Sequence, residues 1–319
     1  MTSRRRFLAG ALALASARLA AQEKAAVKVA RIGMLETVPI AANYANLAEL
    51  HRGLKELGYE EGKSYVVLYR SAEGRAERFP ALATELARQK IDVFVTRGTP
   101  ATLAARDAEG PIPVVATAIS ESLDAPLGNV TGLTSSVSEL GAKRLELLKA
   151  LAPGMKRVGA LVNPDNPASL STWKVVEAAA PQMNLAAEMI DVRRPDELGA
   201  ALLAAVKDGI DGLVFSIETL TQANQGVIVD FAARQRLPAV YASRSFVEAG
   251  GLLSYGVYYP SLYYRAAALV DKVLKGAKPA ELPIERPTRF ELVINRKTAV
   301  ALRIAIPPDL LLRSDDILD

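Results

Sequence analysis

Residues 91–100 read Ile91-Asp92-Val93-Phe94-Val95-Thr96-Arg97-Gly98-Thr99-Pro100, a short apolar run followed at once by a glycine and a proline. A short apolar run of this kind is typical of a buried strand. Glycine lets the backbone turn sharply, and proline suits the first turn of a helix. The stretch therefore predicts a strand at Ile91–Thr96 and a helix at Pro100–Ala108.

The same alternation of strand and helix continues along the rest of the chain. The predicted strands are Val29–Leu35, Tyr65–Tyr69, Ile91–Thr96, Pro113–Thr117, Arg157–Val162, Leu185–Val192, Ile210–Ser216, Pro238–Tyr241 and Leu252–Tyr255. The predicted helices are Ala45–Leu57, Arg78–Gln89, Pro100–Ala108, Glu139–Leu151, Ala168–Gln182, Pro195–Lys207, Thr221–Arg236 and Pro260–Lys275. A loop is expected through Asn129–Gly132. Strands separated by helices predict an α/β fold with parallel sheets and right-handed crossovers.

The two halves of the chain resemble each other in layout. Ile210-Asp211-Gly212-Leu213-Val214 repeats the pattern of the opening stretch 119 residues later. The first strands of the two halves, at Ile32 and Val158, are separated by a similar 126 residues. A chain of 319 residues is long enough for two domains. We therefore expect two Rossmann-like lobes, with one large sheet as the alternative.

Polar residues follow the predicted strands at their carboxyl ends, which is where open α/β sheets bind ligands. These loops are rich in hydroxyls and amides, the groups that hydrogen-bond a small polar molecule. The candidate ligand-binding residues are Glu36, Thr37, Gly98, Thr99, Thr117, Ala118, Asn163, Asn166, Ser216, Glu218, Arg244 and Tyr255.

Four of these features also have a purely structural interpretation. Gly98-Thr99-Pro100 could aim a helix N-terminus at a carboxylate or phosphate, or form an ordinary strand-to-helix turn. The loop 163–167 could contact ligand, or form an Asx-turn and helix cap. Arg244 could pair with a carboxylate, or be solvated. The tyrosines between 255 and 264 could stack on a flat ligand, or pack at a seam between lobes.

The residues that most enzymes need for catalysis are absent from the sequence. There is no cysteine nucleophile, no G-x-S-x-G, no Walker A motif, and no G-x-G-x-x-G after a strand. The single histidine, His51, counts against a zinc site or a histidine-based triad. We expect no enzymatic activity, no cofactor and no metal.

The first residues have the pattern of an export signal. Ser3–Leu8 matches S-R-R-x-F-L, and a small-residue apolar run follows at Ala9–Ala21. This order is typical of a twin-arginine (Tat) signal peptide. It predicts a signal at residues 1–21 and a mature chain in the periplasm from near Gln22. The alternative is a basic amphipathic start to a cytosolic protein.

Cysteine content and charge narrow the class of mature protein. Without cysteine, no lipid can be attached at a cleavage site, so we expect no stable membrane insertion once the signal is removed. The net charge is +4, and four arginines lie in the predicted signal, which leaves the mature chain near neutral. The charge therefore gives no support for nucleic-acid binding.

Five longer motifs together resemble a known family, the ABC transporter substrate-binding proteins related to tryptophan and tyrosine uptake receptors. The likeness covers nearly all of the mature chain, and its specificity comes from the second and last motifs taken together. The motifs are Arg52–Tyr59 with Glu61–Lys63, Asn129–Gly132, Glu139–Leu148, Phe246–Gly256 and Pro287–Asn295.

The resemblance implies a type I periplasmic-binding-protein fold, in which three crossing segments join two lobes around a cleft. It places the lobes at 27–153 with 257–282 and at 154–256 with 283–319. It implies a receptor that captures a small polar or aromatic solute, such as an amino acid or an aromatic carboxylate. The partner is then an ABC permease, to which the receptor delivers the solute.

One loop departs from the family pattern. Relatives usually carry a Gly-Asp-Pro-type loop and a further helix here, whereas Thr117–Gly128 is short and contains Ser120-Glu121-Ser122. The departure implies an altered contact to the carboxylate or amine of the ligand. A periplasmic sensory protein that docks on a signalling receptor, and an exported α/β enzyme, are the alternative functions.

Overall fold

Two β-sheets organise the chain in the computed structural model, which describes residues 28–119, 128–135 and 140–319. The strands are β1 (Ala30–Glu36), β2 (Tyr65–Ser71), β3 (Val93–Thr96), β4 (Val114–Ile119), β5 (Val130–Thr134), β6 (Arg157–Val162), β7 (Ala186–Asp191), β8 (Gly212–Phe215), β9 (Ala239–Tyr241), β10 (Leu253–Val257), β11 (Ile284–Glu285), β12 (Phe290–Asn295) and β13 (Asp316–Leu318). The predicted signal peptide and residues 120–127 of the short loop lie outside the described residues.

Helices connect most of these strands. They are α1 (Tyr44–Glu56), α2 (Phe79–Arg88), α3 (Thr99–Arg106), α4 (Leu140–Leu151), α5 (Pro167–Ala179), α6 (Leu198–Lys207), α7 (Thr219–Ala223), α8 (Gln225–Arg234), α9 (Arg244–Glu248), α10 (Tyr259–Leu274), α11 (Arg296–Leu302) and α12 (Pro308–Arg313). Short 3₁₀ turns precede several of them, for example at Ile40–Asn43 before α1.

The strand order is the same at the centre of both sheets. The first sheet runs β11-β5-β4-β3-β1-β2, and the second runs β13-β12-β10-β9-β8-β6-β7. The paired strands are parallel except for β10 and β12, which run antiparallel. In each lobe the chain moves outward in opposite directions from two neighbouring strands, β1 and β3 or β6 and β8. The predicted α/β fold with two parallel-stranded lobes is confirmed.

Each sheet is buried between helices because both of its faces are apolar. On one face of the first sheet, Leu50 and Leu54 of α1 pack with Leu262 of α10 against the strands. On the other face, Phe79 and Leu86 of α2 form a second core. Fully burying one such side chain contributes about 1.5–3 kcal/mol, so these helices are held mainly by their apolar faces.

Several regions differ from the elements predicted from sequence, among them the unpredicted helix Arg244–Glu248. The expected loop at Asn129–Gly132 contains the start of β5, whose residues are buried beside β4. The expected helix Thr221–Arg236 is two helices, interrupted at Asn224, whose side-chain amide donates to the Leu220 carbonyl at 2.8 Å. That bond competes with continuation of the helix. The chain after residue 283 adds three strands and two helices for which no element was predicted.

The chain passes between the lobes three times, after β5, after β10 and after β11. Packing near two of these passages differs from the predicted lobe boundaries. Helix α4 contributes Leu145 and Leu148 to the core of the second sheet, although residues up to 153 were assigned to the first lobe. Strand β11 pairs with β5 in the first sheet, although residues from 283 onward were assigned to the second lobe. The boundaries themselves stay a prediction.

Candidate functional site

The candidate site lies where the central strands of the two lobes end. Thr37 follows β1 and Arg97 follows β3, at the point of the first sheet where the strand order reverses. Asn163 follows β6 and Glu218 lies shortly after β8, at the equivalent point of the second sheet. Such switch points are the usual ligand sites of open α/β sheets, because the loops there separate and leave a crevice.

A crevice between the lobes is lined by residues from both of these points. The wall from the first lobe is formed mainly by Thr37, Arg97, Gly98, Thr99, Ala118 and Ser135. The wall from the second lobe is formed by Asn166, Ala168, Ile217, Glu218, Thr219 and Gln222. Tyr259, at the start of α10, also lines it. The crevice is narrow and partly open to solvent, and its cavity volume is about 40 Å³.

Half of the predicted ligand residues line this crevice. They are Thr37, Gly98, Thr99, Ala118, Asn166 and Glu218. Sequence position alone found them because parallel strands bring their carboxyl ends to one edge of each sheet. Their contact with a ligand stays a prediction.

Three other predicted residues lie close to the crevice but are committed to internal contacts. The hydroxyl of Thr117 is fully buried and donates to the Thr96 carbonyl at 2.9 Å. The amide of Asn163 donates to Glu218 Oε1 at 3.2 Å. Ser216 is buried, and its carbonyl accepts from the Thr221 hydroxyl at 3.2 Å. They support the crevice walls rather than line them.

Two more predicted residues lie elsewhere. Tyr255 packs against the core of the second lobe, and its carbonyl accepts from Arg144 Nε at 2.7 Å. Arg244 lines a neighbouring crevice, where its guanidinium pairs with Glu248 at 2.7 Å and with Asp316. Its charge is already compensated, which weakens the prediction that it binds a ligand carboxylate.

The Gly98 turn has the geometry of a close backbone approach. Gly98 has φ +82° and immediately precedes α3, and the nearest atom to a Cβ added there would be Pro100 Cδ at 4.0 Å. An L-residue would be strained at this φ, whereas glycine is not. The turn thus starts the helix and lets the backbone border the crevice, whereas binding of a carboxylate or phosphate at this helix N-terminus stays a prediction.

Glu218 is a buried carboxylate that organises the wall of the second lobe. Its Oε2 accepts from the backbone N–H of Leu220 at 2.7 Å and caps the short helix α7. Its Oε1 accepts from the side-chain amides of Asn163 and Asn166, at 3.2 and 3.5 Å. Burial raises the pKa of Glu218, although these donors oppose the shift.

Glu36, the remaining predicted residue, lies beneath the crevice wall of the first lobe. Its side chain is fully buried, and Tyr263 of α10 donates its hydroxyl to Oε1 at 2.6 Å. Oε2 has no hydrogen-bond partner of normal geometry. Burial raises the pKa of Glu36 to about 7, against the opposing effect of Arg97. The residue therefore titrates near neutral pH without touching solvent.

Eight residues that line the crevice are outside the predicted ligand-binding set: Arg97, Pro100, Ser135, Ala168, Ile217, Thr219, Gln222 and Tyr259. Arg97 could have been found, because it directly follows β3 and obeys the rule that identified Gly98. Gln222 sits on a helix rather than at a strand end, so nothing in its local pattern distinguishes it from a packed residue. Tyr259 belongs to the tyrosine cluster that the sequence offered either as a stacking platform or as packing between lobes. Only the approach of the two lobes brings them into the crevice.

Across the described ranges, no group of three or more histidine, cysteine, aspartate or glutamate side chains is placed to hold a metal ion. A search of the same ranges finds no helix with the length and apolar character needed to cross a membrane.

Comparison with known proteins agrees with the fold. A family model described as ABC transporter substrate binding protein matches residues 31–318. A tyrosine-binding protein of Clostridioides difficile is 26% identical over 259 residues, which cover 79% of this chain and 74% of that protein.

Two solved structures superpose well on the chain. An ABC domain from Streptococcus pneumoniae in complex with L-Trp has a TM-score of 0.83 at 26% identity, and a conserved domain protein from Vibrio cholerae has 0.82 at 27%. Each alignment covers 91% of this chain and all of the other. The two lobes have the type I periplasmic-binding-protein fold. The chain belongs to the family of ABC transporter substrate-binding proteins, and it is a binding protein rather than an enzyme.

Proposed function

We propose that this protein captures a small solute carrying a carboxylate, an amino acid or an aromatic carboxylate, in the crevice between its lobes. It then delivers that solute to the permease of an ABC importer. The proposed location is the periplasm, reached by the Tat route.

The observation that carries this proposal is a set of buried polar atoms left without partners at the crevice. Thr37 Oγ1, Gln222 Oε1 and the Tyr259 hydroxyl each lack a hydrogen-bond partner of normal geometry. A buried polar group without a partner costs about 1–3 kcal/mol. Three such groups around one crevice are expected where a bound molecule supplies the missing hydrogen bonds.

The two lobes contribute to this set separately. Thr37 belongs to the first lobe and Gln222 to the second, so a ligand that bonds both would hold the lobes together. The free energy of closure then comes from contacts that exist only in the closed state. This supports hinge closure as the mechanism of capture.

The solute class is supported by the apolar part of the lining and by the relatives. Ala118, Ala168 and Ile217 offer an apolar surface beside the polar groups. The relative from Clostridioides difficile is named for tyrosine, and the Streptococcus pneumoniae domain holds L-Trp. A solute with an apolar body and a charged end would match both parts of the crevice.

Thermal shift and calorimetry with a panel of amino acids, aromatic acids and sugars test the proposal. A bound solute at 100 times its dissociation constant should add about 2.7 kcal/mol to the free energy of unfolding. Gln222→Met should weaken binding, whereas Gln235→Met, at an exposed position on α8's C-terminal side, should not. No response to any solute, with scattering profiles unchanged, would contradict the proposal.

Export and delivery need tests in cells. Replacing Arg4 and Arg5 by lysine should leave the protein in the cytoplasm if the Tat route carries it. Uptake of the solute identified above should fall in cells that lack the protein. Normal uptake without it would contradict delivery to a permease.

A further inference from the structure

Two arginines are buried in or beside the crevice without an acidic partner. Arg97 is 5% exposed and Arg144 is fully buried. Within the ranges that the structure describes, neither has a carboxylate oxygen within 4 Å, whereas Arg244 has three such neighbours. Buried charges are normally paired, because an isolated ion is costly to remove from water. Among the described residues neither guanidinium is therefore ion-paired, although Glu36 acts on Arg97 electrostatically.

Arg97 is the member of this pair that reaches the crevice. Its guanidinium lies over the ring of Tyr259, 4.7 Å from the centroid. The hydrogen bond that it makes to a described residue, from Nη1 to Asn43 Oδ1, is long at 3.4 Å. The stacked ring and the amide hold the guanidinium in place without satisfying its charge. Its five N–H groups therefore have donor capacity left over.

The neighbours of Arg97 are short of hydrogen-bond partners as well. The hydroxyls of Thr37 and Tyr259 line the same crevice and lack partners of normal geometry. A hydroxyl can donate as well as accept. One anionic group on a ligand could accept from all three side chains.

Arg144 places a second positive charge behind the crevice wall. It does not line the crevice, and its Nη1 and Nη2 have no partners. It nevertheless lies near enough to Tyr259 to influence that side chain electrostatically, as Arg97 does. Glu36 also interacts electrostatically with Arg97, and burial raises the pKa of Glu36 to about 7. Within the described residues, Arg97 and Arg144 are the cationic groups that act on Tyr259.

We propose that Arg97 binds the carboxylate of the solute, with the hydroxyls of Thr37 and Tyr259 completing its hydrogen bonds. The planar guanidinium fork matches the two oxygens of a carboxylate. This inference rests on the proposed function and narrows it: the receptor selects solutes by their carboxylate, and the selecting group belongs to the first lobe.

The test compares acids with their uncharged carboxamides. L-Tyrosine, L-tryptophan and indole-3-propionate are titrated by calorimetry beside L-tyrosinamide, L-tryptophanamide and indole-3-propionamide. Wild-type protein should bind the acids roughly 10- to 100-fold more tightly than the amides, the range expected of charge-assisted hydrogen bonds. Arg97→Lys keeps a positive charge but removes the fork, and should cut this preference roughly tenfold.

Arg313→Lys, at an exposed position at the end of α12, is the matched control. It should leave the preference for acids unchanged. The thermal midpoint of each variant without ligand reports whether it is folded.

Different failures have different meanings. If wild-type protein binds amides as tightly as acids, or if Arg97→Lys weakens both classes equally, the role of Arg97 is refuted while solute capture stands. If no member of either class binds, both the role of Arg97 and the proposed solute class are refuted.

Discussion

The buried carboxyl group of Glu36 predicts a specific dependence of stability on pH. Burial raises its pKa from 4.5 to about 7 in the folded state. The folded protein therefore binds this proton more tightly than the unfolded chain does. The stability that the proton contributes is fully present below about pH 4.5 and is lost as the pH rises through about 7.

The magnitude follows from the size of the shift. At about 1.4 kcal/mol per pKa unit, ionising Glu36 costs the folded state about 1 kcal/mol at pH 5 and about 3 kcal/mol at pH 8. Glu36→Gln keeps a neutral side chain of the same shape that can still accept from Tyr263. Relative to wild type, the variant should therefore gain about 2–3 kcal/mol of unfolding free energy between pH 5 and pH 8.

Urea denaturation of both proteins at pH 5, 6, 7 and 8 measures this gain. Comparing the two proteins at each pH cancels other titrations, including that of Glu291, whose pKa burial also raises to about 7. Glu177→Gln, at an exposed position of α5, controls for the loss of a carboxylate. A difference between Glu36→Gln and wild type that stays constant from pH 5 to pH 8 would refute the reasoning.

Three further substitutions test the packing around the crevice. Gly74→Ala should weaken solute binding and open the lobes in small-angle scattering, because its Cβ would lie 2.6 Å from Ala223 Cβ of the other lobe. Gly62→Ala, the control, has a similar φ and open space around the added Cβ, so it should do neither. Equal effects of the two substitutions would mean that Gly74 does not limit closure. Arg144→Met should raise the free energy of unfolding in urea by about 1 kcal/mol or more, since it removes a buried charge with two unpartnered nitrogens. A lower urea midpoint would mean that the guanidinium has hydrogen-bond partners in the folded protein. Gly256→Ala should lower the free energy of unfolding by roughly 3 kcal/mol or more in the same assay, because its Cβ would lie 1.9 Å from a backbone carbonyl oxygen. A variant as stable as wild type would contradict that contact.

Most of the fold could be predicted from the sequence because the relevant signals are local. The buried strand β3 and the helix that follows it were both evident in residues 91–108, with Gly98 marking the turn. Strand β5 was missed because Gly132 and two threonines interrupt its apolar pattern. Its strand conformation comes from pairing with the preceding strand β4 and with β11, and β11 lies far away along the chain.

The candidate site was predicted less completely than the fold. Thr37 and Asn166 were found because strand ends are readable from periodicity. Arg244 illustrates the limit of that rule: it also follows a strand, but α9 and the carboxylate of Asp316 draw its side chain into another crevice. Which polar side chain faces a ligand depends on such long-range partners.

The sequence by itself determined that this protein is a two-lobed α/β chain whose polar residues gather at the carboxyl ends of parallel strands. Those properties follow from the spacing of apolar residues and from turn chemistry, which act over a few neighbouring positions. Only the tertiary structure decided that Gln222 and Tyr259 meet Thr37 in one crevice, and that Arg97 lies there without an acidic partner among the described residues. The physical reason is that burial and charge compensation depend on every group nearby in space, and the approach of one lobe to the other is not encoded in any local pattern.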